Sequence, residues 1–499
     1  MANPLFDALF ATGRADALAL EGQDVAWTYG DLADEAARLH AALMRLGVAP
    51  GDRVAVQVEK SPRALALYLA CLRAGAVYLP LNPAYTDAEL AHFVDDAEPS
   101  LVVCDPLRER DVRALAPRAA VASLDAGGGG ELADRAAAAS SPGPAVDRAP
   151  EDLAAICYTS GTTGRSKGAM LTQRALLSNA QALKALWRFT ADDRLIHALP
   201  TYHVHGLFVA SHTALLAGAS MIFHARFEPE AVLASLADAT VLMGVPTFYS
   251  RLLAAPGLTR EACAGMRLFV SGSAPLLAQT HAAFAARTGH AILERYGMTE
   301  TGMNASNPYD GARRPGTVGL ALPDVDLRIV DPANGDRVAP GEVGVIEVRG
   351  PNVCAGYWRN PDKTAEAFRP DGYFVTGDLG RLDADGYLVI VGRDKDLIIT
   401  GGLNVYPKEV ETEIDALEGV EESAVIGLPH ADFGEAVTAV VVLKAEGALD
   451  ADAILARLAT RLARFKQPKR VLFAEALPRN AMGKVEKARL RRDLAGLYG

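Results

Sequence analysis

Apolar residues recur at helical spacing from Trp27 to Arg45 (WTYGDLADEAARLHAALMR), with Thr28 and Asp31 as cap candidates, and the pattern predicts an amphipathic helix. DRVAVQV (Asp52 to Val58) and PSLVVCD (Pro99 to Asp105) alternate or run apolar over strand length, and SPRALALYLACLRAGAVYLPL between them reads as helix and then extended chain. Strand, helix and strand in succession imply parallel α/β layers. Residues 124–150, with AGGGGE and AAAASSPGPA, read as a loop or surface excursion. A second α/β stretch runs from Leu153 to about Pro323, and LRIVDPANGDRVAPGEVGVIEVRGP then reads as short strands joined by Asn-Gly and Pro-Gly turns, a small β subdomain. Beyond GYLVIVGRDKD the chain has its own strands, ESAVIGL and AVTAVVVLK, and its own helices, PKEVETEIDAL and ADAILARLATRLARF. The expected fold class is α/β: a large N-terminal domain of layered α/β subdomains plus a β subdomain (1–391), a joint at 392–396, and a small α+β C-terminal domain (397–499).

Composition narrows the class without changing this picture. The 499 residues are half hydrophobic and 22% charged, the balance of a globular protein large enough for more than one core. A net charge of −11 argues against nucleic-acid binding and against an acidic membrane surface, since both need a positive field, so an anionic ligand must be met locally. Cys71, Cys104, Cys157, Cys263 and Cys354 are scattered and never spaced as CxxC, which points to reduced buried thiols in the cytosol rather than disulfides or zinc. The N-terminus has no charged start followed by a long apolar stretch, and no run of eighteen apolar residues follows, so neither export nor membrane spanning is expected.

YTSGTTGRSKG, Tyr158 to Gly168, is dense in glycines and hydroxyls, with Lys167 close behind. Glycines let several backbone N–H groups converge on one anion, and hydroxyls add donors without net charge, which is phosphate chemistry. The GxxxxGK[ST] loop is excluded, because Lys167 follows Ser166 and precedes Gly168. Alone, the segment reads equally as a flexible surface turn.

Context comes from YHVHGL (Tyr202 to Leu207), SGSAP (Ser271 to Pro275), ERYGMTE (Glu294 to Glu300), GDLG (Gly377 to Gly380), GRDKDLIITGGLNVYPKEVE (Gly392 to Glu411) and PRNAMGKV (Pro478 to Val485). In this order they resemble, over nearly the whole chain, the acyl-adenylate-forming family that contains acyl-CoA synthetases, firefly luciferase and the adenylation domains of peptide synthetases. Within the family the chain is most similar to bacterial malonyl-CoA synthetases, overall and in ALPTYHVHGLFVA, VLMGVPTFY and LERYGMTET.

The resemblance implies ATP, magnesium and coenzyme A, and two half-reactions: a carboxylate attacks the α-phosphorus of ATP, and the coenzyme A thiol then displaces AMP. It implies that Thr159, Ser160, Gly161, Thr162, Thr163, Gly164 and Lys167 hold the β- and γ-phosphates. Glu300, with Thr163, would hold magnesium, and Thr299 would lie beside the α-phosphate. Tyr296, followed by Gly297 and Met298, would stack on adenine opposite Gly272, Ser273, Ala274 and Pro275, while Asp378 and Arg393 would take the ribose hydroxyls. Lys484 would bridge the attacking carboxylate and the α-phosphate, and its acetylation would be a means of regulation. Rotation of a mobile C-terminal domain about Lys395 would then withdraw Lys484 and bring Gly401 and Gly402 to a pantetheine tunnel.

For the acid, malonate needs a fixed cation for its second carboxylate. Arg295, just before the adenine-stacking tyrosine, is the leading candidate; the alternative is an ion pair with Glu294 or another acid. Arg267 is a second candidate that reads mainly as structural. His205 either donates to the distal carboxylate or is a structural histidine, His203 lies in the same motif, and Val245, Thr247 and Met303 read as pocket walls. Methylmalonate would fit the same slot, since one methyl discriminates weakly. A synthetase for short-chain, fatty or aryl monocarboxylic acids and a non-catalytic adenylate-binding protein stand as alternatives. Lys466, Lys469 and Arg470 read either as contacts for coenzyme A phosphates or as a solvated helix end.

Overall fold

LVVC, VYLP and VLMG carry no polar alternation, and the physical reason is that helices cover both faces of the sheets they enter. The computed structural model describes residues 3–22, 24–139, 143–159, 166–401, 403–430, 432–445, 449–480 and 483–499. Among these residues four sheets form. A six-stranded sheet runs Ala120–Ser123, Leu101–Cys104, Arg53–Gln57, Val77–Pro80, Leu153–Thr159, Lys167–Thr172, parallel except for its last pair. A nine-stranded sheet runs Leu320–Ala321, Gly302–Ser306, Leu293–Met298, Leu268–Ser271, Val241–Gly244, Arg194–His197, Ser220–Phe223, Leu18–Gly22, Val25–Thr28, with a parallel centre and antiparallel ends.

The helix Pro62–Ala74 is apolar all round and buried at every position but Arg63 and Arg73. Ser61 caps its start, Pro62 occupies its first turn, and Gly75 closes it in the left-handed conformation at φ 69°. The helix Tyr29–Arg45 begins with the expected Thr28/Asp31 capping box and packs beside it. One apolar cluster runs through these helices and both sheets. The excursion at 124–150 is not wholly a loop. Glu131–Ala137 is a short helix whose Leu132 and Ala136, four residues apart, are buried against Tyr29–Arg45, with a Glu131–Arg135 ion pair at 2.7 Å on its outer face.

Asp326–Val330, Gly344–Arg349, Phe374–Leu382 and Leu388–Arg393 form an antiparallel sheet. A tight turn, Asp394–Asp396, leads into five strands: Ile398–Thr400, Leu403–Val405, Val420–His430, Gly434–Leu443 and Arg470–Phe473. Their two faces carry separate apolar clusters, Val425, Val437 and Ile454 on one side and Ile426, Val440 and Leu477 on the other, so this part has its own core. The expected helix ADAILARLATRLARF is shorter than its periodicity: the regular helix is Ala451–Leu458. A tertiary tie and a local one turn the chain beyond it: Lys466 Nζ lies on Glu409 Oε1 at 2.6 Å, and Gln467 Nε2 donates to the Leu462 carbonyl at 2.8 Å. All five cysteines are buried and free. Among the described residues no helix is long and apolar enough to cross a membrane.

Candidate active site

In open parallel sheets the loops beyond the carboxyl ends of the strands gather on one side, and ligands bind there. The motifs stand at just such ends: Thr159 closes Leu153–Thr159, YHVHGL comes after Arg194–His197, VPTFY after Val241–Gly244, GSAP after Leu268–Ser271, and Thr299 and Glu300 after Leu293–Met298. Residues far apart in sequence thereby share one cleft.

On the nucleotide side, Asp378 and Arg393 face each other in register across Phe374–Leu382 and Leu388–Arg393, with Arg393 Nε 2.5 Å from Asp378 Oδ1. The Tyr296 hydroxyl donates to the other oxygen, Oδ2, at 2.5 Å. Burial and then the Asp378 charge push the Tyr296 phenol well above its ordinary pKa, so it stays protonated and donating. Glu300 is 5% exposed; its Oε1 accepts from the Tyr357 hydroxyl at 3.0 Å and from Thr159 Oγ1 at 3.4 Å. Lys167 Nζ lies 4.3 Å from the centre of the Tyr357 ring. Tyr357 carried no motif in the sequence, and its role as the link between Glu300 and Lys167 emerges only in three dimensions. Ser160, Gly161, Thr162, Thr163, Gly164 and Gly402 lie outside the described residues. A single buried carboxylate flanked by hydroxyls, with no group of three metal-ligating side chains among the described residues, suits magnesium shared with phosphate oxygens rather than an all-protein cage.

On the acyl side, Arg295 is 3% exposed, and its guanidinium lies so close to Gly272 that a Cβ there would stand 2.4 Å from Cζ. Arg295 Nε and Nη2 have no hydrogen-bond partner, and among the described residues no carboxylate pairs with it. Glu294 is no partner: neighbours on a strand point to opposite faces, and its Oε1 accepts from Gly316 N at 3.3 Å. Burial pushes Arg295 down to about 9, which leaves it cationic at neutral pH. Beside it, His205 is 1% exposed, with Nδ1 3.2 Å from Ser273 Oγ and Nε2 unpartnered. Burial, and then the Arg295 charge, hold His205 far below its ordinary pKa, so it is a neutral imidazole. The Ser273 hydroxyl can donate to Nδ1, and in that tautomer the ring proton is on Nε2. His203 Nδ1 accepts from His205 N at 3.2 Å, and burial, Lys484 and Arg295 push His203 down to about 3.

Val245 and Met303 are buried, and Thr247 is half-buried beside Gly483, so this one wall candidate meets the C-terminal part of the chain. Arg267 is not brought to this pocket. Its Nε and Nη2 grip both Asp193 oxygens at 2.6 and 2.7 Å, and Nη1 donates to the Trp187 carbonyl at 3.0 Å. Lys466 is tied to Glu409, Lys469 lies over the Phe433 ring and Arg470 over Tyr498.

Lys484 sits in a turn in which its N–H donates to Asn480 Oδ1 at 3.1 Å and its carbonyl accepts from Asn480 N at 2.9 Å. Its side chain keeps accessible surface, yet burial lowers its pKa, followed by Arg393 and Arg295, with Asp378 and Glu300 acting oppositely. Both hold if the amine stands in an open cleft, surrounded but not covered. Its charged neighbours belong to both the nucleotide side and the acyl side, so Lys484 lies between them. Lys395 is exposed in the turn Asp394–Asp396, and Gly401, at φ 58°, follows Ile398–Thr400.

Residues 8–358 match the family described as AMP-binding enzyme, and residues 409–484 match the AMP-binding enzyme C-terminal domain. The chain is 56% identical to MatB of Rhodopseudomonas palustris over 100% of both chains; it superposes on the ATP-bound crystal structure with a TM-score of 0.98 and on the apo structure with 0.87. It is 32% identical to a malonate–CoA ligase of Arabidopsis thaliana over 98% of this chain and 88% of that protein. It is 38% identical to a feruloyl-CoA synthase of an Amycolatopsis species over 95% of this chain and 96% of that protein.

Proposed function

The chain belongs to the AMP-binding enzyme family, and on that premise we propose that it is an ATP-dependent malonyl-CoA synthetase of the cytosol. It is an AMP-forming acid–CoA ligase. In the first half-reaction a malonate oxygen attacks the α-phosphorus, the bond to the bridging oxygen breaks, and diphosphate leaves. In the second the coenzyme A thiol gives up its proton, sulfur attacks the acyl carbon, and the C–O bond to AMP breaks.

The observation that carries malonate is Arg295, a buried guanidinium with two unpartnered N–H positions beside an unpartnered imidazole nitrogen, His205 Nε2. A distal carboxylate would satisfy both. A monocarboxylic acid would leave them orphaned, at a cost of about 1–3 kcal/mol per unsatisfied group. Methylmalonate adds only a methyl and keeps the second carboxylate.

In this reading Tyr296, with Gly297 and Met298 after it, and the strip Gly272 to Pro275 hold adenine, while Asp378 and Arg393 hold the ribose. Thr299 faces the α-phosphate, and Thr159 and Lys167 serve the outer phosphates with the residues between them. Glu300 would hold magnesium, which when bound neutralises phosphate charge. Lys484 offsets the charge that grows as carboxylate and phosphate meet, and orients both. Acetylation would remove that charge and silence the first half-reaction.

The chain divides, on this proposal, into 1–391, a hinge at 392–396 centred on Lys395, and 397–499. The two MatB superpositions, 0.98 and 0.87 on one relative, support two arrangements of the units. Rotation would bring Gly401 and its neighbour toward coenzyme A. Diphosphate release with malonate, methylmalonate, acetate, butyrate and benzoate tests the assignment. Turnover concentrated on the two diacids is expected, and brisk turnover of acetate without malonate would overturn it.

A further inference from the structure

Two buried basic side chains lie behind the acyl pocket and touch neither nucleotide nor acid in the reading above. Lys60 follows the strand Arg53–Gln57 of the six-stranded sheet and is 6% exposed. His197 ends the strand Arg194–His197 in the nine-stranded sheet. Lys60 Nζ lies 2.9 Å from His197 Nδ1, donates to the His197 carbonyl at 2.7 Å, and sits 4.2 Å from the centre of the Phe223 ring. The two sheets are thus joined at the end where the motifs gather.

From His197 the contact continues forward. Its Nε2 lies 3.0 Å from the Gly206 carbonyl and 3.1 Å from Ser211 Oγ, and Ser211 Oγ itself donates to that carbonyl at 3.0 Å. With Lys60 donating to Nδ1, the single imidazole proton sits on Nε2 and points at Gly206. Burial lowers the pKa of both Lys60 and His197; the amine has N–H groups to donate in either protonation state, and the Gly206 carbonyl accepts only from a protonated Nε2.

Gly206 is the second residue of a widened helical turn, His205–Ala210, whose hydrogen bonds skip one residue more than those of an α-helix; Ser211 N donates back to the Gly206 carbonyl. Such turns are rare and occur mostly as single-turn bulges, frequently at functional sites. Only glycine fits at 206, since a Cβ would stand 2.1 Å from the Pro200 carbonyl oxygen. One carbonyl therefore receives the backbone N–H that defines the turn and donors from two side chains. The residue immediately before it is His205, whose Nε2 has no hydrogen-bond partner and whose imidazole feels the Arg295 charge.

We propose that Lys60 and His197 are positioning residues for substrate selection: through the Gly206 carbonyl they hold the turn that aims His205 at the distal carboxylate of the acid. This rests on the malonate reading of the Arg295 site. The effect belongs to acid binding, so it separates from ATP binding and from the chemical steps.

The test is steady-state kinetics on purified full-length variants, with the melting temperature recorded for each. Lys60→Met keeps length but removes the donor to His197 Nδ1 and to the His197 carbonyl, so the imidazole is no longer held in place; malonate KM should rise about tenfold while ATP KM stays within about twofold, as loss of buried hydrogen bonds at a positioning residue implies. His197→Gln retains a donor for Gly206 and should hold malonate KM within about threefold, whereas His197→Asn, whose amide falls short, should match Lys60→Met. An unchanged malonate KM in folded Lys60→Met, equal rises in the KM of both substrates, or indistinguishable Gln and Asn variants would overturn the proposal. Should Lys60→Met fail to fold, the Gln and Asn pair decides alone. Wild-type enzyme that ignores malonate, or an Arg295→Ala enzyme that uses it normally, would instead sink the malonate reading itself.

Discussion

At the scale of single residues, the site depends on groups that are buried and yet left with hydrogen-bonding capacity. Arg295 is the sharpest case, because a desolvated guanidinium without an acid raises the energy of the empty pocket and so favours a dianionic guest. Arg295→Ala should raise malonate KM on the order of a hundredfold, the loss typical of truncating one side of a buried charge pair, and should relax preference toward acetate and butyrate. Unchanged malonate kinetics would return the residue to a packing role. Its pKa of about 9 adds a pH signature: the cation is complete at lower pH and is lost as pH rises, so malonate KM should be flat up to pH 8 and climb above about 9. Lys484 acts on the other bond. Lys484→Ala should cut adenylation on the order of a hundredfold or more while leaving thioester formation from supplied malonyl-AMP largely intact. Equal loss in both half-reactions would contradict that assignment.

At the scale of elements, the strand Leu293–Met298 sends Arg295 to the acyl pocket and Glu294 to the opposite face. Glu294 is buried there and its carboxyl is pushed up to about 8, burial being the main cause. A carboxyl whose folded pKa lies above its unfolded value favours folding fully below the unfolded pKa, near 4.5, and loses that contribution as pH rises to about 8. Glu294→Gln, which can still accept from Gly316 N, should therefore stabilise the protein more at pH 8.5 than at pH 5.5, on the order of a few kcal/mol at most. Denaturant melts at the two pH values check this, and an equal shift at both would refute it. Elements were legible in the sequence wherever periodicity was long or punctuation strong. The capped helix Tyr29–Arg45 and the apolar helix Pro62–Ala74 show both. Glu131–Ala137 was not legible, because seven residues amid glycine and alanine carry a single buried pair, and its helicity comes from packing on Tyr29–Arg45. The chain after Leu458 erred the other way: its spacing suits a helix, but the tie from Lys466 to the distant Glu409 turns it aside.

At the scale of the whole molecule, two units with separate cores meet around Lys484, and the turn Asp394–Asp396 joins the antiparallel sheet of one to the strands of the other. Arg491 Nη2 on Asp396 Oδ1 at 2.6 Å and Gly483 beside Thr247 mark contacts of this arrangement. If it serves adenylation and a rotated one serves thioester formation, restricting the joint should uncouple them. Lys395→Pro is expected to leave diphosphate release within a few-fold of wild type and to slow transfer from malonyl-AMP to coenzyme A by about tenfold or more, because proline fixes one of the torsions that must change. Single-turnover assays of each half-reaction read this out, and equal slowing of both would count against a hinge at 395.

The amino-acid sequence by itself determined the strongly punctuated elements, such as Tyr29–Arg45 and Pro62–Ala74, and the order of the nucleotide-handling motifs, because these depend on residue type and spacing within short stretches of chain. It also singled out Arg295 and His205. The tertiary structure alone decided that Arg295 has no acid partner among the described residues while Arg267 is held by Asp193, and that Tyr357 joins Glu300 to Lys167. It alone brought Lys60 against His197, 137 residues away. Whether a polar group is satisfied, and which face of a cleft it reaches, depends on neighbours supplied by distant strands, and no local pattern encodes them.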